Sequence, residues 1–235
     1  MTDAGPAPAA AVLVFPGSNG ERDLCEALEL AGFVPRLVDA GSTLPRDVAL
    51  VGLPGGFSFG DYWRAGLLAG RCRAVLELPR FLDGGGLALG VCNGFQILVA
   101  AGLLPGALAH NAPPHFVHRW VTVQVTAAAT ASPWFTGLAA GTGLRLPIAH
   151  GEGRYLHPDG DEALARCAAL TYCKNPNGSQ GDAAAVLDAT RRVLGIMPHP
   201  ERAIDELLGS ADGLRLLRAA RASLLDGRAR AARGA

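Results

Sequence analysis

One heptapeptide, Gly90-Val91-Cys92-Asn93-Gly94-Phe95-Gln96, constrains this chain more than any other stretch. The residues leading into it, Leu87-Ala88-Leu89-Gly90-Val91, form a short apolar run bounded by Gly84-Gly85-Gly86, the pattern of a buried strand. The residues after it place Phe95, Leu98 and Val99 at helical spacing and stop near Gly102. Cys92 therefore falls on a sharp strand-to-helix turn, with glycines on either side that let strand and helix approach closely. This is the thiol counterpart of the Gly-x-Ser-x-Gly nucleophile elbow. A helix beginning just after the sulfur directs backbone N–H groups and a partial positive charge towards it, which favours the thiolate. Most cysteines are small buried packing residues; the bracketing glycines and the strand end set this one apart.

The rest of the first half alternates in the same way. Apolar runs at 11–15, 33–38 and 48–53 end in Pro16-Gly17-Ser18-Asn19-Gly20, in a polar turn and in Pro54-Gly55-Gly56, with a helix over roughly 24–31 and another over 63–82. Strands alternating with helices predict an α/β fold, a doubly wound and mostly parallel central sheet flanked by helices. Ligands bind outside the carboxyl ends of such strands, which groups Pro16–Gly20, Gly55-Gly56 and Cys92 into one site. From 107 the pattern changes to β-rich runs at 107–110, 117–125, 144–149 and 166–172, separated by turn signals that include Asn175-Pro176-Asn177-Gly178. These predict antiparallel strands and hairpins extending one edge of the sheet, the Asn-Gly read as a surface turn. Strands at 183–188 and 193–196 and a helix over 212–225 close the fold. No repeat or linker interrupts the chain, so residues 1–235 read as a single domain, with 1–10 and 227–235 as flexible tails.

Charge narrows the function classes. Twenty-one basic residues balance 21 acidic ones, so no basic footprint argues for nucleic acid. The five cysteines are scattered with no C-x-x-C pair, which fits free thiols in a reducing compartment and argues against a zinc or other metal site. No run approaches membrane-spanning length and no signal-peptide pattern opens the chain, so the expectation is a cytoplasmic protein.

A reactive thiol needs a base and a group to orient that base. His199, in Met197-Pro198-His199-Pro200-Glu201, lies just beyond a predicted strand, and the following proline pushes it into extended backbone. Residues i and i+2 of extended chain face the same way, so Glu201 can hold the imidazole as a third triad member. His150, in the Gly-rich Ala149-His150-Gly151-Glu152-Gly153, is a rival base with Glu152 at the same spacing, and pattern alone does not decide between them.

Gly-x-Cys-x-Gly-x-Gln followed later by His-x-Glu resembles the class I (triad) glutamine amidotransferases. Further strings, Phe15-Pro16-Gly17-Ser18-Asn19, Pro54-Gly55-Gly56-Phe57-Ser58-x-Gly60-Asp61-Tyr62, His150-Gly151-Glu152-Gly153-x-Tyr155, Asn175-Pro176-Asn177-Gly178-Ser179 and Met197-Pro198-His199-Pro200-Glu201-Arg202, narrow the resemblance to the glutaminase subunits of phosphoribosylformylglycinamidine synthases. The chain departs from that pattern at Phe59, Trp63, Ala183-Ala184-Ala185 and Arg191-Arg192. The resemblance implies Cys92, His199 and Glu201 as the catalytic triad. It also implies substrate contacts from Gly55, Gly56, Asn93, Gln96, Gly151 and Glu152. No cofactor is implied on this chain. ATP and Mg belong on a large synthetase partner, which works in a complex with a small accessory subunit. That partner receives ammonia and converts formylglycinamide ribonucleotide to formylglycinamidine ribonucleotide in purine biosynthesis. A partnerless Cys hydrolase and a non-enzymatic binding module of the same fold are the rival classes.

Overall fold

The computed structural model describes residues 6–233, with side chains described as far as Gly227. The chain opens with β1 (Ala9–Val14), α1 (Glu21–Leu30), β2 (Val34–Asp39) and β3 (Val48–Leu53). Two short helices, α2 (Arg73–Leu76) and α3 (Leu78–Asp83), lead to β4 (Leu87–Val91) and α4 (Asn93–Ala100). The second half runs β5 (Ala107–Ala109), β6 (Val117–Val125), β7 (Gly143–His150), β8 (Arg154–Leu156), α5 (Gly160–Cys167) and β9 (Ala168–Tyr172). It closes with β10 (Ala183–Leu187), β11 (Val193–Ile196) and α6 (Asp212–Arg233).

Nine strands form one sheet in the order β2-β1-β3-β4-β11-β10-β9-β6-β7, while β5 and β8 pair separately. Strands β2, β1, β3, β4 and β11 are parallel, and β10, β9, β6 and β7 continue the sheet antiparallel, as the change of pattern after residue 107 predicts. The expected mixed α/β architecture is present. Every residue of β4, β10 and β11 is buried, which is why these segments read as unbroken apolar runs. By contrast β6 alternates between buried and exposed positions, the mark of a strand with one wet face.

Close approach of β4 and α4 sets the sheet's centre. A Cβ on Gly94 would lie 2.0 Å from the Leu53 carbonyl oxygen, and one on Gly90 would lie 2.5 Å from the carbonyl oxygen of Gly94. Only glycine lets α4 sit this near β3 and β4. The expected 63–82 helix is not formed as one piece. Trp63 (φ 67°) and Gly66 (φ 78°) are left-handed, Cys72 is extended, and α3 begins afresh at Leu78 with Pro79 in its first turn. The segment instead lies against α4, where a Gly66 Cβ would be 2.6 Å from the Ile97 nitrogen.

Three further expectations are corrected. The strand expected over 166–172 begins only at Ala168, because Arg166 and Cys167 close a helix over 160–167 that has Asp161 and Glu162 in its first turn and Ala163 and Leu164 turned inward. At the N-terminus Ala9 and Ala10 already belong to β1, and residues 1–5 of the expected tail lie outside the described residues. At the other end α6 continues through Arg233, leaving only 234–235 outside.

Candidate active site

Cys92 caps α4 with φ 50° and ψ −102°, a backbone conformation that L residues rarely adopt and that costs on the order of 1–3 kcal/mol. Its N–H bonds the Ile196 carbonyl at 2.8 Å and its carbonyl accepts from Gln96 N–H at 3.2 Å. Strand β11 and the first turn of α4 thus hold the corner in place. The thiol sits 3.7 Å from the Ala149 carbonyl oxygen, and the first N–H groups of α4 have no partner within the helix.

His199 follows β11. Its N–H bonds the Pro147 carbonyl at 2.8 Å, tying it to β7, and its Nδ1 lies 2.6 Å from Glu201 Oε1. Both side chains are buried. Burial alone would depress the imidazole's pKa, but the Glu201 carboxylate, with help from Cys92, outweighs it and raises the pKa to about 10. The Nδ1 proton therefore faces Glu201. Nε2, on the other side of the ring, is buried and makes no hydrogen bond of ordinary geometry among the described residues. Gly55 brings thiol and imidazole together: a Cβ there would sit 3.0 Å from His199 Cε1 and 3.7 Å from Cys92 Cβ. Thiol and imidazole thus meet across one bare backbone position, with the Glu201 carboxylate on the other side of the ring.

The loop carrying Gly55 and Gly56 is braced by the β1 turn. Gly20 N–H bonds the Gly55 carbonyl at 3.1 Å and Phe57 N–H bonds the Gly17 carbonyl at 3.1 Å. Asn93 is buried. Its Oδ1 accepts from Ser58 N–H at 3.1 Å, and its Nδ2 donates to Gln96 Oε1 at 2.9 Å and to Asp61 Oδ1 at 3.2 Å. Gln96 Nε2 in turn donates to the Glu152 carbonyl at 2.8 Å. The side chains of Asn93 and Gln96 therefore link the 55–61 loop to the 150–153 loop, with Gly151 and Glu152 at the far end. Burial, and then the nearby Glu152 charge, push the Asp61 carboxyl above its usual range.

The rival base is differently equipped. His150 is buried, and its Nδ1 meets Asn111 Oδ1 at 3.0 Å. The carboxylate of Glu152 turns instead to His110 Nδ1 at 3.4 Å. Burial, reinforced by the neighbouring His199, lowers the His150 pKa to about 4. A histidine with no carboxylate and so low a basicity is a poor proton acceptor at neutral pH.

Two asparagines missed by the pattern hold this loop. Asn111 bonds the carbonyls of His150 and His115 and the N–H of Gly153. Asn177, expected in a surface turn, has no exposed area and donates to the Gly153 carbonyl at 2.8 Å. The 173–182 connection between β9 and β10 is thus a packed loop, not a two-residue hairpin. The signal was present in the doubled Asn and following Ser, more polar side chains than a tight turn requires. Tyr172 at the end of β9 was also missed. Its hydroxyl is buried without a hydrogen-bond partner among the described residues, and burial raises its pKa, with a smaller push from Cys92.

Of the unusual residues, Phe59 lies within the 55–61 loop, and the arginine pair lies away from these groups. Arg191 and Arg192 occupy the β10–β11 turn, at the sheet end opposite Cys92. Arg191 takes a left-handed φ of 61° there, and the Arg192 carbonyl accepts from Trp134 Nε1 at 3.0 Å. Trp63 is exposed at the surface. All five cysteines are free. Among the described residues no helix is long and apolar enough to cross a membrane, and no group of three or more His, Cys, Asp or Glu is placed to hold a metal ion.

Comparison with known proteins matches this chain to one family. The sequence model described as a CobB/CobQ-like glutamine amidotransferase domain matches residues 7–213. The chain is 51% identical over 217 residues to phosphoribosylformylglycinamidine synthase subunit PurQ of Cereibacter sphaeroides, covering 89% of this chain and 96% of that one. It is 50% identical to the protein of the same name from Rubrobacter xylanophilus, covering 88% and 94%. Among solved structures, that of PurLQS from Thermotoga maritima superposes with a TM-score of 0.86 at 41% identity, covering 93% of this chain and 99% of that one. Another glutamine amidotransferase of Thermotoga maritima, 15% identical with a TM-score of 0.56 and covering 93% and 95%, shares the fold.

Proposed function

The chain belongs to the CobB/CobQ-like glutamine amidotransferases and, within them, to the PurQ subunits of phosphoribosylformylglycinamidine synthase, and from that membership we propose how its own residues release ammonia from glutamine. It is the glutaminase subunit of a purine-biosynthetic synthase and works with the PurL and PurS subunits. In this reading residues 1–235 act as one amidotransferase domain in the cytoplasm without a cofactor of their own. ATP and Mg act on the synthetase subunit, where ammonia replaces the amide oxygen of formylglycinamide ribonucleotide.

The Cys92 thiolate attacks the side-chain carboxamide carbon of glutamine. Oxygen charge develops against backbone N–H groups of Gly55 or Gly56 and of Asn93, a preset arrangement that is usually a large part of catalysis. His199, its Nδ1 held by Glu201, gives its Nε2 proton to the departing nitrogen as the C–N bond breaks, leaving a γ-glutamyl thioester and ammonia. It then removes a proton from water, which attacks the thioester and releases glutamate and the thiol. Gln96 fixes the position of the Glu152 backbone, and the 151–152 loop together with Gln96 borders the amino-acid end of the substrate.

The observation that carries this reading is the meeting of Cys92, on its strained corner, with the buried His199–Glu201 pair across Gly55. The test is Cys92→Ala assembled with the partner subunits. Glutamine-dependent synthesis should fall at least about a thousandfold, while synthesis from added ammonia survives. Retained glutamine hydrolysis in that variant overturns the assignment.

A further inference from the structure

His150 sits in a cradle more elaborate than a packing residue needs. Asn111 Nδ2 donates to the carbonyl oxygens of His150 at 2.8 Å and His115 at 2.9 Å. That assignment makes Asn111 Oδ1 the acceptor, for Gly153 N–H at 3.1 Å and for His150 Nδ1 at 3.0 Å. A carbonyl oxygen cannot donate, so the proton of the neutral imidazole resides on Nδ1 and Nε2 carries a bare lone pair. The ring also lies directly on Gly153, where a Cβ would come within 2.3 Å of Nδ1. Tautomer and ring plane are both fixed.

The lone pair so presented is buried and has no hydrogen-bond partner among the described residues. Leaving a buried acceptor unmatched is costly, which points to a partner that arrives with the substrate. Its surroundings identify the place. The preceding carbonyl, that of Ala149, is the one 3.7 Å from Cys92 Sγ, and Pro147, three residues back on β7, holds the His199 N–H. The end of β7 is therefore the wall against which the thiol and its base are set. Burial and the positive charge of His199 keep the His150 ring proton-free at Nε2 at neutral pH.

A glutamine carboxamide brings one acceptor oxygen and two N–H donors into this space. Backbone N–H groups take the oxygen and a protonated His199 is itself a donor, so the acceptors left for the two amide hydrogens are the Ala149 carbonyl, beside Cys92 Sγ, and His150 Nε2. We propose that His150 Nε2 accepts an N–H of the glutamine carboxamide and then of the ammonia it becomes. This assignment rests on the glutaminase reading above and deepens it. It makes His150 a specificity-determining residue: an amide is welcomed, whereas the carboxylate of product glutamate offers no donor and meets the lone pair unfavourably. Because the ring is so weakly basic, it holds ammonia without protonating it.

The test compares glutamine with L-glutamate γ-methyl ester, whose leaving group has no N–H, using the chain assembled with its partner subunits. His150→Leu and His150→Phe both remove the acceptor, and either soluble variant suffices. The ratio of kcat/KM for glutamine to that for the ester should fall at least tenfold, and glutamate should inhibit the variant more tightly than the wild type. His150→Gln, which returns a carbonyl acceptor, should recover part of the ratio. A variant that loses both activities in equal proportion, or neither, overturns the assignment of His150 and leaves the glutaminase reading standing. A wild-type assembly that hydrolyses neither substrate overturns the glutaminase reading itself.

Discussion

Glu201 Oε1 and His199 Nδ1 stand 2.6 Å apart on either side of Pro200, and the two side chains are only 1% and 3% exposed. The second carboxylate oxygen of Glu201 makes no hydrogen bond among the described residues, and Arg202 Nε stands farther from Oε1, at 3.7 Å, so the imidazole is the nearer partner of the negative charge. That charge is what lifts the His199 pKa to about 10 against the opposing effect of burial. Glu201→Gln keeps the shape and removes the charge, so the His199 pKa should fall and imidazolium should be lost at lower pH. The expected outcome is a loss of about 10- to 100-fold in kcat, the mildest of the three triad substitutions. The alkaline limb of kcat/KM should also move to lower pH. A pH–rate profile superposable on that of the wild type would show that Glu201 does not tune this base.

Gly94 and Gly227 should respond oppositely to alanine. A Cβ on Gly94 would fall 2.0 Å from the Leu53 carbonyl oxygen, while one on Gly227 meets nothing within 4 Å. Gly94→Ala should cost about 3 kcal/mol or more through overpacking and displace the corner that carries Cys92. Gly227→Ala, inside α6, should instead stabilise by about 0.5–1 kcal/mol. Thermal unfolding of the two variants beside the wild type checks both signs.

Asn177→Ala removes the Nδ2 bond to the Gly153 carbonyl and the Oδ1 acceptor for Ser179 N–H and Oγ. Buried groups left unmatched in this way should cost about 2–4 kcal/mol in urea unfolding. Because the same contact holds the 150–153 loop, KM for glutamine should rise. A surface turn would show neither effect.

His150 should leave an acid-side signature. Its pKa of about 4 in the fold lies below the ordinary value of 6.5, so the unfolded chain binds the extra proton first as pH falls. The group imposes no penalty above pH 6.5; the penalty grows between pH 6.5 and 4 and reaches roughly 3 kcal/mol below that. Any intrinsic destabilisation of His150→Leu relative to wild type, measured by urea unfolding at pH 7.5, should therefore shrink at pH 4.5. A constant difference across that range would mean that His150 is not held neutral by the fold.

Much of this was legible in the chain because it depends on local rules. The residues of β3, β4 and β6 follow from apolar runs and alternation, and the strand-turn-helix at Cys92 follows from Gly90 and Gly94, whose missing side chains permit the close crossing. The pairing of His199 with Glu201 is likewise local, two residues apart across a proline. The sequence could not say which of two histidines faces a carboxylate. That was decided by contacts between residues far apart in the chain: Asn111 claims His150, and His110 draws away Glu152. The same holds for Asn177, whose Asn-Gly run has every local property of a surface turn until Gly153 arrives to accept its side chain. The 63–82 segment failed as a helix for a related reason, since its left-handed residues are set by the backbone of α4 lying against Gly66. Periodicity and turn chemistry are written along the chain. The tautomer of a buried histidine and the partner of a buried amide exist only once distant segments exclude water from them.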